Sequence, residues 1–216
     1  LGPEKYGELT YLLSIASLVT GIAVFGSHHT ILVLTGKKID IHATIYLITI
    51  VANIIGSVII FILFFNLGVS LMIIGYSLFA LVTSDLIGKK WYKNYSKYII
   101  TQKILLVVFG IGFYYLIGEN GILIGIALAH THLIIHIIKS IKNSKINFNI
   151  IKEKKKFILN NWAISISGIV YGTVDKLVIG SFIGFGILGN YSLGLQFYSV
   201  LNFLPSMTVK YFIGQD

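Results

Sequence analysis

The sequence predicts an all-α fold, a polytopic membrane helix bundle crossing the bilayer about seven times. Three observations lead there. Hydrophobic residues make up 56% of the 216 and charged residues only 12%, with a mean hydropathy of +0.86. A soluble domain carries roughly a quarter charged residues, so this chain could bury a core but not coat it. The apolar residues fall into seven long stretches, and lysines collect in alternate connections between them.

The stretches cover 9–35, 44–65, 68–87, 98–117, 121–138, 157–182 and 189–209. Each approximates the 17–25 residues that a helix needs to cross hydrocarbon, where backbone polar groups must be satisfied internally. Lys37 and Lys38 follow the first stretch, and Lys89, Lys90, Lys93, Lys97 and Lys103 surround the start of the fourth. Lys139, Lys142, Lys145, Lys152, Lys154, Lys155 and Lys156 fill the fifth-to-sixth connection, and Lys210 follows the seventh. These are 15 of the 17 lysines; the opposite connections, 66–70, 118–120 and 183–188, hold Glu119 and no lysine. By the positive-inside rule the lysine-rich side is cytoplasmic, which predicts a multi-pass protein of the cytoplasmic (inner) cell membrane. The polar segment 139–156 reads as a solvated loop rather than a short helix on the anionic leaflet surface.

The net charge of +9 does not point to nucleic acid, because every basic residue is lysine and the planar arginine fork suited to phosphates and bases is missing. Trp91, Tyr92, Tyr95 and Tyr98 beside lysines read as an interfacial aromatic belt. The chain contains no cysteine, which excludes thiol chemistry. It also contains no nucleophile elbow, phosphate loop or paired carboxylates on one helix face, so no catalytic residue, metal or cofactor is assigned.

An internal echo suggests two lobes. Gly2, Gly7 and Thr10 recur as Gly184, Gly189 and Ser192 at an offset of 182 residues, with Leu1 matched by Ile183. An interval holding six spans predicts two pseudo-symmetric six-span lobes in parallel orientation. The chain begins at Leu1 without a methionine, so residues 1–138 are expected to be an N-terminal lobe lacking its first span. Residues 139–156 would be the cytoplasmic inter-lobe loop, and 157–216 the start of the C-terminal lobe.

The opening Leu1-Gly2-Pro3-Glu4-Lys5-Tyr6-Gly7 resembles the loop before the second span of polysaccharide flippases. These O-antigen and lipid-linked oligosaccharide transporters belong to the multidrug/oligosaccharidyl-lipid/polysaccharide exporter superfamily. Asp175-Lys176-Leu177-Val178-Ile179-Gly180, Ile183-Gly184, Gly189 and Tyr191-Ser192 resemble the segment after that family's central cytoplasmic loop. The resemblance implies roughly 12 to 14 spans in two lobes around a central cavity, alternating access, and a polyprenyl-pyrophosphate-linked oligosaccharide as substrate. Its implied partners are that substrate, membrane lipids and polysaccharide-assembly proteins, with no nucleic acid. A multidrug or organic-cation antiporter of the same superfamily and a membrane-embedded polysaccharide polymerase are the rival expectations.

Polar residues at membrane depth are costly unless they face water or a partner. Lys176 is the first expected substrate-binding residue, with a cavity-facing ammonium to meet the pyrophosphate. Asp175 is the expected ion-coupling residue; as helical neighbours the two are not an ideal pair for each other. His28 and His29, near the cytoplasmic end of the first stretch, are further substrate-binding candidates. His132 and His136 share i, i+4 spacing without an HExxH pattern, and His130 reads as a packing or cavity group. Asp85, four residues before Lys89, predicts an interfacial ion pair. Gly168-x3-Gly172 and Gly180-x3-Gly184 predict close helix approach.

Overall fold

The computed structural model describes residues 1–202, and residues 203–216 lie outside that description. The described chain is helical throughout, with no strand among its residues. In order it forms α1 (Pro3–Val24), α2 (Ser27–Gly36), α3 (His42–Phe64), α4 (Leu67–Gly88), α5 (Tyr92–Ile117) and α6 (Glu119–Leu128). A 3-10 turn (Thr131–Leu133) leads into α7 (Ile134–Lys142) and α8 (Phe148–Glu153). After α9 (Lys155–Val178) a π-helical turn (Ile179–Ile183) precedes α10 (Phe185–Leu201). Among the described residues six segments are long and apolar enough to span a bilayer: α1, α3, α4, α5, α6 with α7, and α9 with its π turn. The protein is therefore a multi-pass membrane helix bundle. The expected seventh span is helical as far as Leu201, and its remainder falls outside the described residues.

Two elements differ from the sequence expectation. The first stretch is not one helix: it breaks at Phe25 and Gly26, whose φ angles of 53° and 65° are left-handed and end a right-handed helix. A Cβ on Gly26 would sit 2.5 Å from the Trp162 backbone nitrogen, so glycine also permits α9 to approach here. Trp162 then donates its indole N–H to the Ile22 carbonyl at 3.1 Å, which also accepts the Phe25 N–H at 3.3 Å. The segment 139–156 is not simply a solvated loop either. It continues α7 and adds the short α8, whose N-cap Asn147 accepts from the Asn149 N–H at 3.0 Å. The Asn147 N–H donates to Thr44 Oγ1 at 2.8 Å and the Ala43 N–H to Ser144 Oγ at 3.1 Å, so the segment is tied to the start of α3.

The described residues divide into two compact units, 15–173 and 1–14 with 174–202. The larger unit is built around α4, which buries Val69, Met72, Ile73, Leu81, Val82 and Leu86. Its α5 and α6 approach closely: a Cβ on Gly121 or Gly125 would collide with the carbonyls of Phe113 and Phe109. That is the small-xxx-small geometry, at a pair other than the ones anticipated. A Cβ on Gly168 would meet no described atom within 4 Å, whereas one on Gly180 would strike the Tyr11 ring.

In the smaller unit α1 and α10 cross at the two glycines of the 182-residue echo. A Cβ on Gly7 would overlap the Phe185 carbonyl and lie 2.9 Å from the Gly189 nitrogen. A Cβ on Gly189 would overlap the Pro3 carbonyl and lie 3.2 Å from the Gly7 nitrogen. Phe185 is Pro3 displaced by the same 182 positions, so each contact is the reciprocal of the other. Reciprocity of this kind is what a local twofold axis produces.

Candidate functional site

The sequence-derived residues occupy separate places. Asp175 and Lys176 lie near the end of α9, in the smaller unit. Contrary to the expectation from helix geometry, they do pair: Asp175 Oδ1 accepts the Lys176 backbone N–H at 2.8 Å and lies 3.5 Å from its Nζ. The carboxylate bends back to its neighbour's own backbone, which brings the lysine stem within reach. Tyr191 of α10 donates its hydroxyl to Asp175 Oδ2 at 2.5 Å, a partner the sequence alone did not nominate. His28 and His29 belong to the larger unit, with ring centroids 4.2 Å apart. His28 lines a cavity of about 250 Å³ together with Ser17, Thr20 and Tyr76.

His132 and His136 do not converge as their spacing suggests, because the 3-10 turn at Thr131–Leu133 intervenes. His132 hydrogen-bonds the Ala129 carbonyl through Nδ1 at 2.9 Å and stacks on Tyr98. His136 turns to a carboxylate on α4. His130 is 2% exposed, bonded through Nδ1 to the Ile126 carbonyl and edged by Tyr76 and Phe79.

The most fully built polar site in the larger unit centres on Asp85, whose side chain is completely buried. Oδ1 lies 2.8 Å from His42 Nε2; Oδ2 lies 2.8 Å from both Lys89 Nζ and His136 Nε2. Ser140 adds a longer bond at 3.5 Å. The expected Asp85–Lys89 pair is thus formed, but inside a larger cluster. Helices α3, α4 and α7 each contribute, and a buried carboxylate is tolerated because cationic or N–H donors surround it. The other nitrogen of His42, Nδ1, lies 3.1 Å from Asp40 Oδ1. With both carboxylates ionised, bonds from both nitrogens at once require the doubly protonated ring.

Asp40 sits in the connection before α3. Burial would raise its carboxyl, yet the Ser144 hydroxyl and the His42 ring hydrogen-bond it and hold it below the usual carboxylate range. Ser144 Oγ donates to Asp40 Oδ1 at 2.5 Å, so the cluster extends to the 139–156 segment. Beside the cluster opens a cavity of about 500 Å³ whose walls include Lys38, Lys89, Trp91, Lys139 and Asn143. Lys89 also stands 5.2 Å above the Trp91 ring.

Sequence reasoning left His42 out and considered His136 only for its i, i+4 spacing with His132. One signal was available: His42, Asp85 and His136 all lie at span ends on the lysine-rich side, so topology places them at one depth. Comparison of the chain with protein-family models, curated proteins and solved structures finds no match to any of them.

Proposed function

We propose that this chain is part of a transporter that moves polyprenyl-pyrophosphate-linked oligosaccharide across the cytoplasmic membrane by alternating access. The observation that carries the reading is the Asp175–Lys176 pair, held inside a span-length apolar helix. Ionised groups at the centre of a span cost about 2.5–3.5 kcal/mol each on insertion scales and less toward its ends, and the flippase resemblance places an acidic–basic pair at this point. Lys176 would meet the pyrophosphate. Asp175, braced by Tyr191, would set the local field or respond to a coupling ion. The reciprocal α1–α10 crossing supports the two-lobe organisation on which alternating access depends. His28 and His29 would add polar contacts for the saccharide in the larger unit.

One observation favours a second reading, an organic-cation antiporter of the same superfamily. Such a protein needs a protected acidic group in its first lobe, and Asp85 is a buried carboxylate there. Its engagement by His42, Lys89 and His136 weighs against cation binding, since donors already compensate the buried charge.

The test is complementation of polymer export in a host lacking its own flippase, using the full-length gene. Lys176→Ala should abolish export at normal protein level, and Lys176→Arg should retain much of it. Full export by the alanine variant, or rescue of drug resistance instead of polymer export by the parent, would defeat the flippase reading.

A further inference from the structure

The cavity beside the Asp85 cluster has a charge balance that the cluster does not use. Three lysines line it, Lys38, Lys89 and Lys139, against two carboxylates, Asp40 and the buried Asp85 beneath. Both carboxylates are already supplied with donors: Asp85 by His42, Lys89 and His136, and Asp40 by His42 and Ser144. Neither acid is left to neutralise Lys38 or Lys139. Both of those side chains are exposed at the cavity wall, and neither forms an ion pair with a described residue. Asn143, which also lines the cavity, adds a neutral amide donor.

We propose that this cavity binds a phosphate group, through Lys38 and Lys139 with Asn143, on the lysine-rich face of the larger unit. Two ammonium groups and an amide lining one cavity offer the several hydrogen bonds, two of the groups charged, that phosphate oxygens accept. The Asp85 cluster supplies the rigidity, because it fixes the three helices that carry the lysines' neighbours. At about 500 Å³ the space admits a phosphate with its attached glycerol or ribose. Basic pockets between helices at the cytoplasmic surface are the geometry that receives anionic lipid headgroups, and a phosphate in solution offers the same oxygens. The site is independent of Lys176 and of the flippase reading.

The test uses the whole purified chain in a neutral detergent. Phosphatidylglycerol is titrated and the bound lipid counted by native mass spectrometry; inorganic phosphate is titrated separately by calorimetry. Lys38→Gln with Lys139→Gln should weaken binding about tenfold or more, the loss expected from removing charged hydrogen-bond donors. Lys93→Gln with Lys97→Gln, the same charge change on the same face but outside the cavity, should leave it within about twofold. Lipid binding that excess phosphate does not displace identifies a headgroup site; tighter binding of phosphate than of lipid identifies a soluble phosphate site. The proposal is overturned if neither probe binds, or if the two double variants lose affinity equally. Circular dichroism of each variant establishes that it is folded, and both pairs are surface lysines whose replacement leaves the core intact.

Discussion

Replacing Asp85 by alanine is the most informative perturbation of the larger unit. The change removes three contacts of 2.8 Å, to His42, Lys89 and His136. Hydrogen bonds to charged groups contribute about 1.5–3 kcal/mol each, but simple addition overstates the loss. His42 keeps Asp40 as a partner, and Lys89, 23% exposed, can turn toward water. What cannot relax is the concentration of donors facing one another without an anion. Removing one member of a buried ion pair costs about 3–5 kcal/mol, and we expect that range here. For chains of 150–250 residues each kcal/mol moves the melting temperature by roughly 2–4 °C, so the fall should be on the order of ten degrees. Intrinsic fluorescence can follow it, because one of the two tryptophans, Trp91, lies against Lys89. Asp85→Asn should lose roughly half as much, since its amide still accepts from one side but presents N–H groups to Lys89, which has no acceptor. An alanine variant melting within about 2 °C of the parent would refute the view that this carboxylate ties α3, α4 and α7 together.

Two further outcomes follow from the fold. Gly189→Val and Gly7→Val each drive a side chain into a backbone carbonyl of the crossing helix, where nothing flexible can give way. Each should cost about 1–3 kcal/mol or more and lower the yield of folded protein, whereas Gly168→Val, which meets no described atom within 4 Å, should not; equal tolerance of all three would remove the close α1–α10 crossing. In the cysteine-free chain, Lys145→Cys should label with an impermeant thiol reagent only after the cytoplasmic side is opened, and labelling from outside intact cells would invert the topology.

The membrane helix bundle and the approximate positions of six spans were legible in the sequence, because hydropathy acts locally and accumulates along the chain. The break after Val24 was not foreseen, although Gly26 was visible. What requires a glycine at that break is also Trp162, 136 positions later, whose backbone fills the space a Cβ would need. The glycine pairs show the same limit. Gly121-x3-Gly125 and Gly168-x3-Gly172 are the same pattern in sequence, yet a Cβ on Gly121 or Gly125 would strike another helix's carbonyl while one on Gly168 would meet no described atom within 4 Å. A small residue permits close approach; a neighbour has to be there to make it. Asp85–Lys89 could be read as an i, i+4 pair, since one helix contains both. His42 and His136 reach the same carboxylate from 43 and 51 residues away, on helices whose rotation about their axes is set by packing against α4. Sequence therefore determined which segments are apolar helices long enough to span a membrane. Only tertiary structure decided which polar side chains meet, because hydrogen bonds depend on ångström distances that one-dimensional order does not contain.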